Sequence, residues 1–72
     1  MNHPKSIEEF EAIHRQEYEQ ELDSCDRWIK WAKDHNDYYG VNFHQGRRSA
    51  LVFNDIKMCQ LLRVLKGEYP NV

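Results

Sequence analysis

The stretch from Ser6 to Asn36 constrains the fold most, because it lacks glycine and proline and repeats its apolar residues at helical spacing. At about 100° per residue, Trp28 lies at the edge of an arc of about 120°. That arc, the seam, is formed by Ile7, Phe10, His14, Tyr18, Leu22, Cys25, Ile29 and Ala32. The run predicts one long amphipathic helix over about residues 6–36, which packs against another helix along the seam.

The start of this helix carries a specific signal. Ser6 suits the N-cap position, and Glu9 three residues later completes the spacing of a capping box. Residues 1–5 contain Pro4 and show no periodicity. We therefore expect a frayed leader over residues 1–5 and a helix that begins just after Ser6.

The helical pattern stops at Asp37. Residues 37–48 hold two glycines and several aromatic residues, which predicts an aromatic loop, with Gly40 as the residue that ends the first helix. Tyr38, Tyr39 and Phe43 are too apolar for an inert linker. We expect them to fold back on the first helix or to contact a partner.

A second helix is predicted over about residues 49–66, with Ser49 as its N-cap and Gly67 as its stop, followed by a tail over 67–72. Its apolar residues cover more than half of its circumference. They are Leu51, Met58, Leu62 and Leu65, flanked by Leu61 and Cys59, with Val52 and Ile56 further round. An alternative makes residues 50–53 a strand and Asn54 the cap of a shorter helix, but a lone strand has nothing to pair with.

Two antiparallel helices predict an all-α helical hairpin that forms a single domain over residues 1–72. Such a hairpin leaves part of its apolar surface in water, and Ile13, Trp28, Trp31, Val52 and Ile56 have no counterpart inside it. A homodimer of hairpins, in effect a four-helix bundle, would cover them. Charge favours this pairing, because residues 1–37 hold ten acids and five bases whereas residues 38–72 hold five bases and two acids.

The composition indicates a non-membrane, cytoplasmic protein. Cys25 and Cys59 allow at most one intramolecular disulfide, no apolar run approaches the ~20 residues needed to cross a bilayer, and no secretory signal is present at the N-terminus. We expect both thiols to be reduced. A core in a chain of 72 residues seldom supplies more than ~3 to 5 kcal/mol, which again favours a partner chain.

The sequence predicts neither catalysis nor a bound metal or cofactor. Its histidines and cysteines are at least nine residues apart, whereas small zinc sites pair their ligands closely. Two helices rarely enclose a pocket for a nucleophile and its base. We expect no catalytic, cofactor-binding or metal-binding residues.

The favoured function is a small non-enzymatic interaction module, an adaptor, regulator or inhibitor, which binds another protein through its exposed aromatic surface. Its candidate contact residues are Ile13, Trp28, Trp31, Tyr38, Tyr39 and Phe43.

Two alternatives remain for the function. Basic residues beside the aromatic ones indicate a nucleic-acid-binding regulator, with the candidates Arg47, Arg48, Lys57 and Arg63. Against this, the chain is net acidic, and Arg47 and Arg48 could instead neutralise the first helix.

The second alternative is that the acidic first helix imitates a phosphate backbone and inhibits a protein with a basic groove. In size and compactness the chain resembles accessory proteins of compact genomes such as those of bacteriophages, and no family motif matches it.

Overall fold

The computed structural model describes residues 5–68, which fold as two antiparallel helices. Helix α1 spans Ile7–Asp34 and helix α2 spans Tyr38–Leu65, each of 28 residues, and they pack together as a hairpin. No strand occurs within residues 5–68. The predicted all-α helical hairpin is confirmed, whereas most of the expected leader and the end of the expected tail lie outside the described residues.

The N-terminus of α1 is capped as the sequence predicts. The Ser6 hydroxyl accepts a hydrogen bond from the Glu9 backbone N–H at 3.1 Å. The Glu9 carboxylate in turn accepts from the Lys5 N–H at 3.3 Å, one residue before the position expected for a capping box. Glu8 and Glu9 both lie in the first turn, where the helix dipole favours negative charge.

The turn between the helices is much shorter than the predicted loop. Helix α1 ends at Asp34, Asn36 takes a left-handed conformation with φ 55°, and the Asp37 N–H donates to the Ala32 carbonyl at 2.8 Å. The Asp37 side chain then accepts from the Gly40 N–H at 2.9 Å and caps α2. The chain thus reverses within three residues, His35 to Asp37.

The prediction of a loop over residues 37–48 is wrong, because all but the first of these residues belong to α2. Gly40 lies in the first turn of α2 instead of ending α1, and Ser49 lies inside the helix instead of capping it. The alternative strand over residues 50–53 is wrong too. The other end of α2 is as predicted, since Gly67 follows it with φ 74°, a left-handed conformation that suits glycine.

The predicted seam of α1 faces α2. The seam is fully buried at Cys25 and Ala32, in the half of α1 that is nearer the turn, and Leu62 is the buried residue of α2. Seam residues along the rest of α1 are half-buried, whereas Phe10 lies at the exposed edge. On α2, Leu51 and Met58 are half-buried but Leu65 is exposed. The core is therefore one thin line of contact between two helices.

The fold leaves a large surface in contact with water. The Cα atoms extend only 12 Å along the shortest principal axis, so the hairpin is a single layer of helices. Within residues 5–68, eleven large apolar side chains are more than one third exposed. In the described part of the chain, neither helix is long and apolar enough to span a membrane.

Candidate protein-interaction surface

An aromatic cluster joins the two helices near the turn. Trp28 and Trp31 project from α1 with their rings edge to face and their centroids 6.0 Å apart. The His44 ring of α2 stacks on Trp28 at 5.6 Å, and Phe43 meets His44 edge to face at 5.0 Å. His35, at the end of α1, stacks on Trp31 at 4.0 Å. Five rings from the two helices and the turn thus form one continuous surface.

This aromatic cluster remains open to solvent. Trp28 is 49% exposed, Trp31 is 48% exposed and Phe43 is 67% exposed. A shallow depression of about 440 Å³ lies beside the two tryptophans and is lined also by Ser24 and Arg27. Its walls are mostly apolar, so it can receive an apolar side chain.

The Nδ1 atom of His44 lies buried within this cluster. It has no hydrogen-bond partner in the described part of the chain. Burial of a polar atom without a partner costs about 1 to 3 kcal/mol. By contrast, Nδ1 of His35 bonds to the Trp31 carbonyl oxygen at 2.7 Å.

The cluster belongs to a larger apolar surface on one side of the hairpin. The Glu21–Arg47 ion pair lies on this side, whereas Asp26–Arg48 bridges the opposite side. By helical periodicity, further apolar residues of α1 lie on the same side of that helix as Glu21. Others on α2 lie on the same side of that helix as Arg47. We call this surface the open face, and it consists of Phe10, Ile13, Trp28, Trp31, Phe43, Leu61 and Leu65.

The structure brings together most of the predicted contact residues. Trp28, Trp31 and Phe43 meet in the aromatic cluster, and Ile13 lies half-buried further along the open face. Tyr39 is 91% exposed at the start of α2. Tyr38 is exposed as well, but it lies about 140° round α2 from Phe43 and does not belong to the open face.

The basic residues of the nucleic-acid alternative are distributed differently. Arg47 contacts Glu21 and Arg48 contacts Asp26, each at 2.9 Å, so both arginines are bound to the acidic helix. The Lys57 ammonium lies 4.7 Å from the centroid of the Phe53 ring, and Arg63 is exposed. These four residues therefore do not form one cationic patch directed at solvent.

A polar cluster that sequence reasoning missed lies between the helices. His14 Nε2 and Asp55 Oδ1 are 2.9 Å apart, and the Cys59 thiol lies 3.8 Å from the same oxygen. The His14 ring also stacks between Phe10 and Tyr18. Asp55 follows Leu51 by one helical turn. This i,i+4 spacing is the sequence signal that could have predicted that Asp55 lies on the side of α2 that faces α1.

This polar cluster is not arranged for nucleophilic catalysis. The carboxylate of Asp55 lies against both the thiol and the imidazole, so the hydrogen bonds do not aim the imidazole of His14 at Cys59. Within residues 5–68, no group of three or more histidine, cysteine or acidic side chains could hold a metal ion.

No protein-family model, curated protein or solved structure matches this chain.

Proposed function

We propose that this chain is a small non-enzymatic protein-interaction module, an adaptor, regulator or inhibitor, which binds protein partners through the open face. The half-exposed pair of Trp28 and Trp31 carries this proposal. Tryptophan is enriched among the residues that contribute most to binding energy in protein interfaces. Each indole is held by a neighbouring histidine ring, so little side-chain entropy is lost when a partner packs on it.

The anatomy of the open face supports the same proposal. Its apolar residues lie toward both ends of the hairpin, and charged groups such as the Glu21–Arg47 ion pair lie between and beside them. Interfaces combine apolar contact regions with polar groups that stay hydrated or pair with the partner. Arg27, which lines the depression beside Trp28, is paired with Asp23 at 3.1 Å.

Pairing of two copies into a four-helix bundle is one form that binding through the open face can take. The open face is apolar, and a single layer of helices needs a second layer to cover it. A cytoplasmic location fits the two cysteines, which are free thiols in the described structure.

The ion pairs favour this function over the two alternatives. A nucleic-acid phosphate would have to displace Glu21 from Arg47 and Asp26 from Arg48. The same contacts, together with Glu11–Lys66, neutralise three carboxylates that a phosphate mimic would present. Both alternatives would therefore have to break the contacts that hold α1 against α2.

The test is affinity capture from a lysate of the source organism, with the chain as bait, performed both with and without nuclease. We expect a protein partner that binds the wild-type chain and is lost with Trp31→Glu. Phe53→Glu is the matched control, because it changes an exposed aromatic residue of α2 that lies about 80° further round the helix than Phe43, away from the open face. Loss of the partners on nuclease treatment would contradict the proposal and favour nucleic-acid binding. Partners that bind the Trp31→Glu variant as well as the wild type would also contradict it and indicate another surface.

A further inference from the structure

We infer that the open face fits a second copy of this chain in one particular arrangement, in which the two-fold axis runs parallel to the helices and both turns lie at the same end. This inference rests on the proposed function and names its partner. Trp28 and Trp31 are about half exposed and Phe43 is 67% exposed. The open face thus presents large apolar side chains that a second copy would cover.

Contacts between the helices show which residues lie at the same height along the hairpin. Trp28 lies beside His44, Glu21 beside Arg47, and His14 beside Asp55. By the helical rise, Phe10 and Ile13 therefore lie at the level of the stretch from Lys57 to Leu61. Apolar groups mark both ends of the open face, and the Glu21–Arg47 ion pair marks its middle.

Two symmetric pairings can bring one open face against another with full overlap. If the axis runs along the helices, α1 of one copy lies opposite α2 of its partner, and the turns coincide. If the axis runs across the helices, α1 lies opposite α1 and α2 opposite α2, and each turn lies over the open end of the partner. Apolar residues meet apolar residues in both pairings, so the hydrophobic effect does not select between them.

Charge selects the pairing with the axis along the helices. In that pairing Glu21 lies opposite the partner's Arg47, and two copies form a network of two carboxylates and two guanidinium groups. The crosswise pairing would instead place Glu21 opposite the partner's Glu21, and Arg47 within one turn of the partner's Lys57. Like charges brought together in an interface oppose association.

The selected pairing also brings the aromatic clusters together. Trp28 and Trp31 lie at the height of Phe43, so they would meet the partner's Phe43 across the axis. The depression beside the tryptophans could then receive that exposed phenyl ring. At the other end, Phe10 and Ile13 would meet the partner's Leu61 and Leu65.

Distance measurement between spin labels distinguishes the two pairings. The label is placed at Asp34→Cys, which is exposed at the turn end of α1, in a Cys59→Ala background; Cys25 is fully buried. The inferred pairing places the two labels about 20 to 25 Å apart, across one bundle. The crosswise pairing places them about 40 Å apart, the length of a 28-residue helix. Only the shorter distance supports the inference, and the longer one overturns it.

Sedimentation equilibrium provides the second measurement. We expect about twice the chain mass of 8.7 kDa at micromolar concentration. Trp31→Glu should raise the dimer dissociation constant at least tenfold, whereas Phe53→Glu should leave it unchanged, with circular dichroism confirming that both variants fold. A folded wild-type chain that stays monomeric at high micromolar concentration would overturn the inference. Capture of another protein that depends on Trp31 would then still support the proposed function, so the two failures can be told apart.

Discussion

The imidazole of His44 lies nearly parallel to the indole of Trp28, with ring centroids 5.6 Å apart and planes that differ by 11°. This contact links the exposed aromatic cluster to the packing of the two helices. His44 Nδ1 is buried and has no hydrogen-bond partner in the described part of the chain. The cluster therefore combines a favourable stacking contact with an unfavourable buried polar atom.

His44→Phe should stabilise the fold, because it keeps a stacked ring and removes the buried nitrogen. We expect the free energy of unfolding to rise by about 1 kcal/mol, measured by urea denaturation. His35→Phe is the matched control, since its Nδ1 bonds to the Trp31 carbonyl and the substitution should give no gain. Equal effects of the two substitutions would show that the buried nitrogen of His44 costs nothing.

Two glycines of α2 should respond to alanine in opposite ways. A Cβ atom at Gly40 would collide with the Asp37 carboxylate that caps the helix and lie 3.3 Å from Ala32 Cβ. Gly40→Ala should therefore lower the free energy of unfolding by about 1 kcal/mol or more, through the damaged cap. Gly46 has nothing within 4 Å of the same position, so Gly46→Ala should raise it by about 0.5 to 1 kcal/mol. Thermal unfolding followed by circular dichroism measures both, and a gain from Gly40→Ala would contradict the close contact.

The first helix was predictable because its signals are local. The Ser6 cap, the seam and the absence of glycine and proline all act within a few residues, and each is present in the structure. The approximate end of the second helix was predictable for the same reason, since Gly67 needs only its own left-handed conformation.

The start of the second helix was missed because tertiary contacts override weak helix propensity there. Gly40 allows close approach to Ala32, His44 stacks on Trp28, and Arg47 pairs with Glu21. The face of α2 that contacts α1 continues from Leu51 back through Arg48 and His44 at helical spacing. Because these two residues are polar, apolar periodicity does not detect this part of the face. The D-x-x-G spacing from Asp37 was the one local signal of the cap.

The aromatic site was predicted in part. Sequence places Trp28 at the edge of the seam and Trp31 outside it, and the structure brings the two rings together. Sequence could not show that Phe43 joins them while Tyr38 lies on another side, because this depends on a helix where a loop was expected.

Asp55→Ala should destabilise the hairpin, because His14 and Cys59 both lose their acceptor. We expect a loss of about 1 to 3 kcal/mol in the free energy of unfolding, a large share of the stability of so small a core. Asn54→Ala, at the exposed neighbouring position, is the control and should have little effect. A double-mutant cycle with His14→Ala, measured by urea denaturation, should give a positive coupling energy. Strict additivity would show that the 2.9 Å contact contributes nothing.

The contact between Glu11 and Lys66 should make stability depend on pH at both extremes. The Lys66 ammonium donates to the Glu11 carboxylate at 2.8 Å. This hydrogen bond lowers the pKa of Glu11 and raises the pKa of Lys66 from their ordinary values, and it outweighs the opposing effect of desolvation. Because folding lowers the pKa of Glu11, its carboxylate stabilises the fold above the ordinary carboxyl range, and this stabilisation is lost as the pH falls through the pKa of the folded state. Because folding raises the pKa of Lys66, its ammonium stabilises the fold below the ordinary amine range, and this stabilisation is lost as the pH rises through the pKa of the folded state.

Lys66→Met should therefore reduce the free energy of unfolding most between about pH 5 and pH 10, and its effect should shrink below about pH 4. The measurement is urea denaturation of the wild type and the variant across this range. Lys57→Met is the control, because its ammonium lies over the Phe53 ring and not against a carboxylate in the described structure, so its effect should not shrink at acid pH. If the cost of Lys66→Met is the same at pH 3 and pH 7, the carboxylate of Glu11 does not hold α2 against the start of α1.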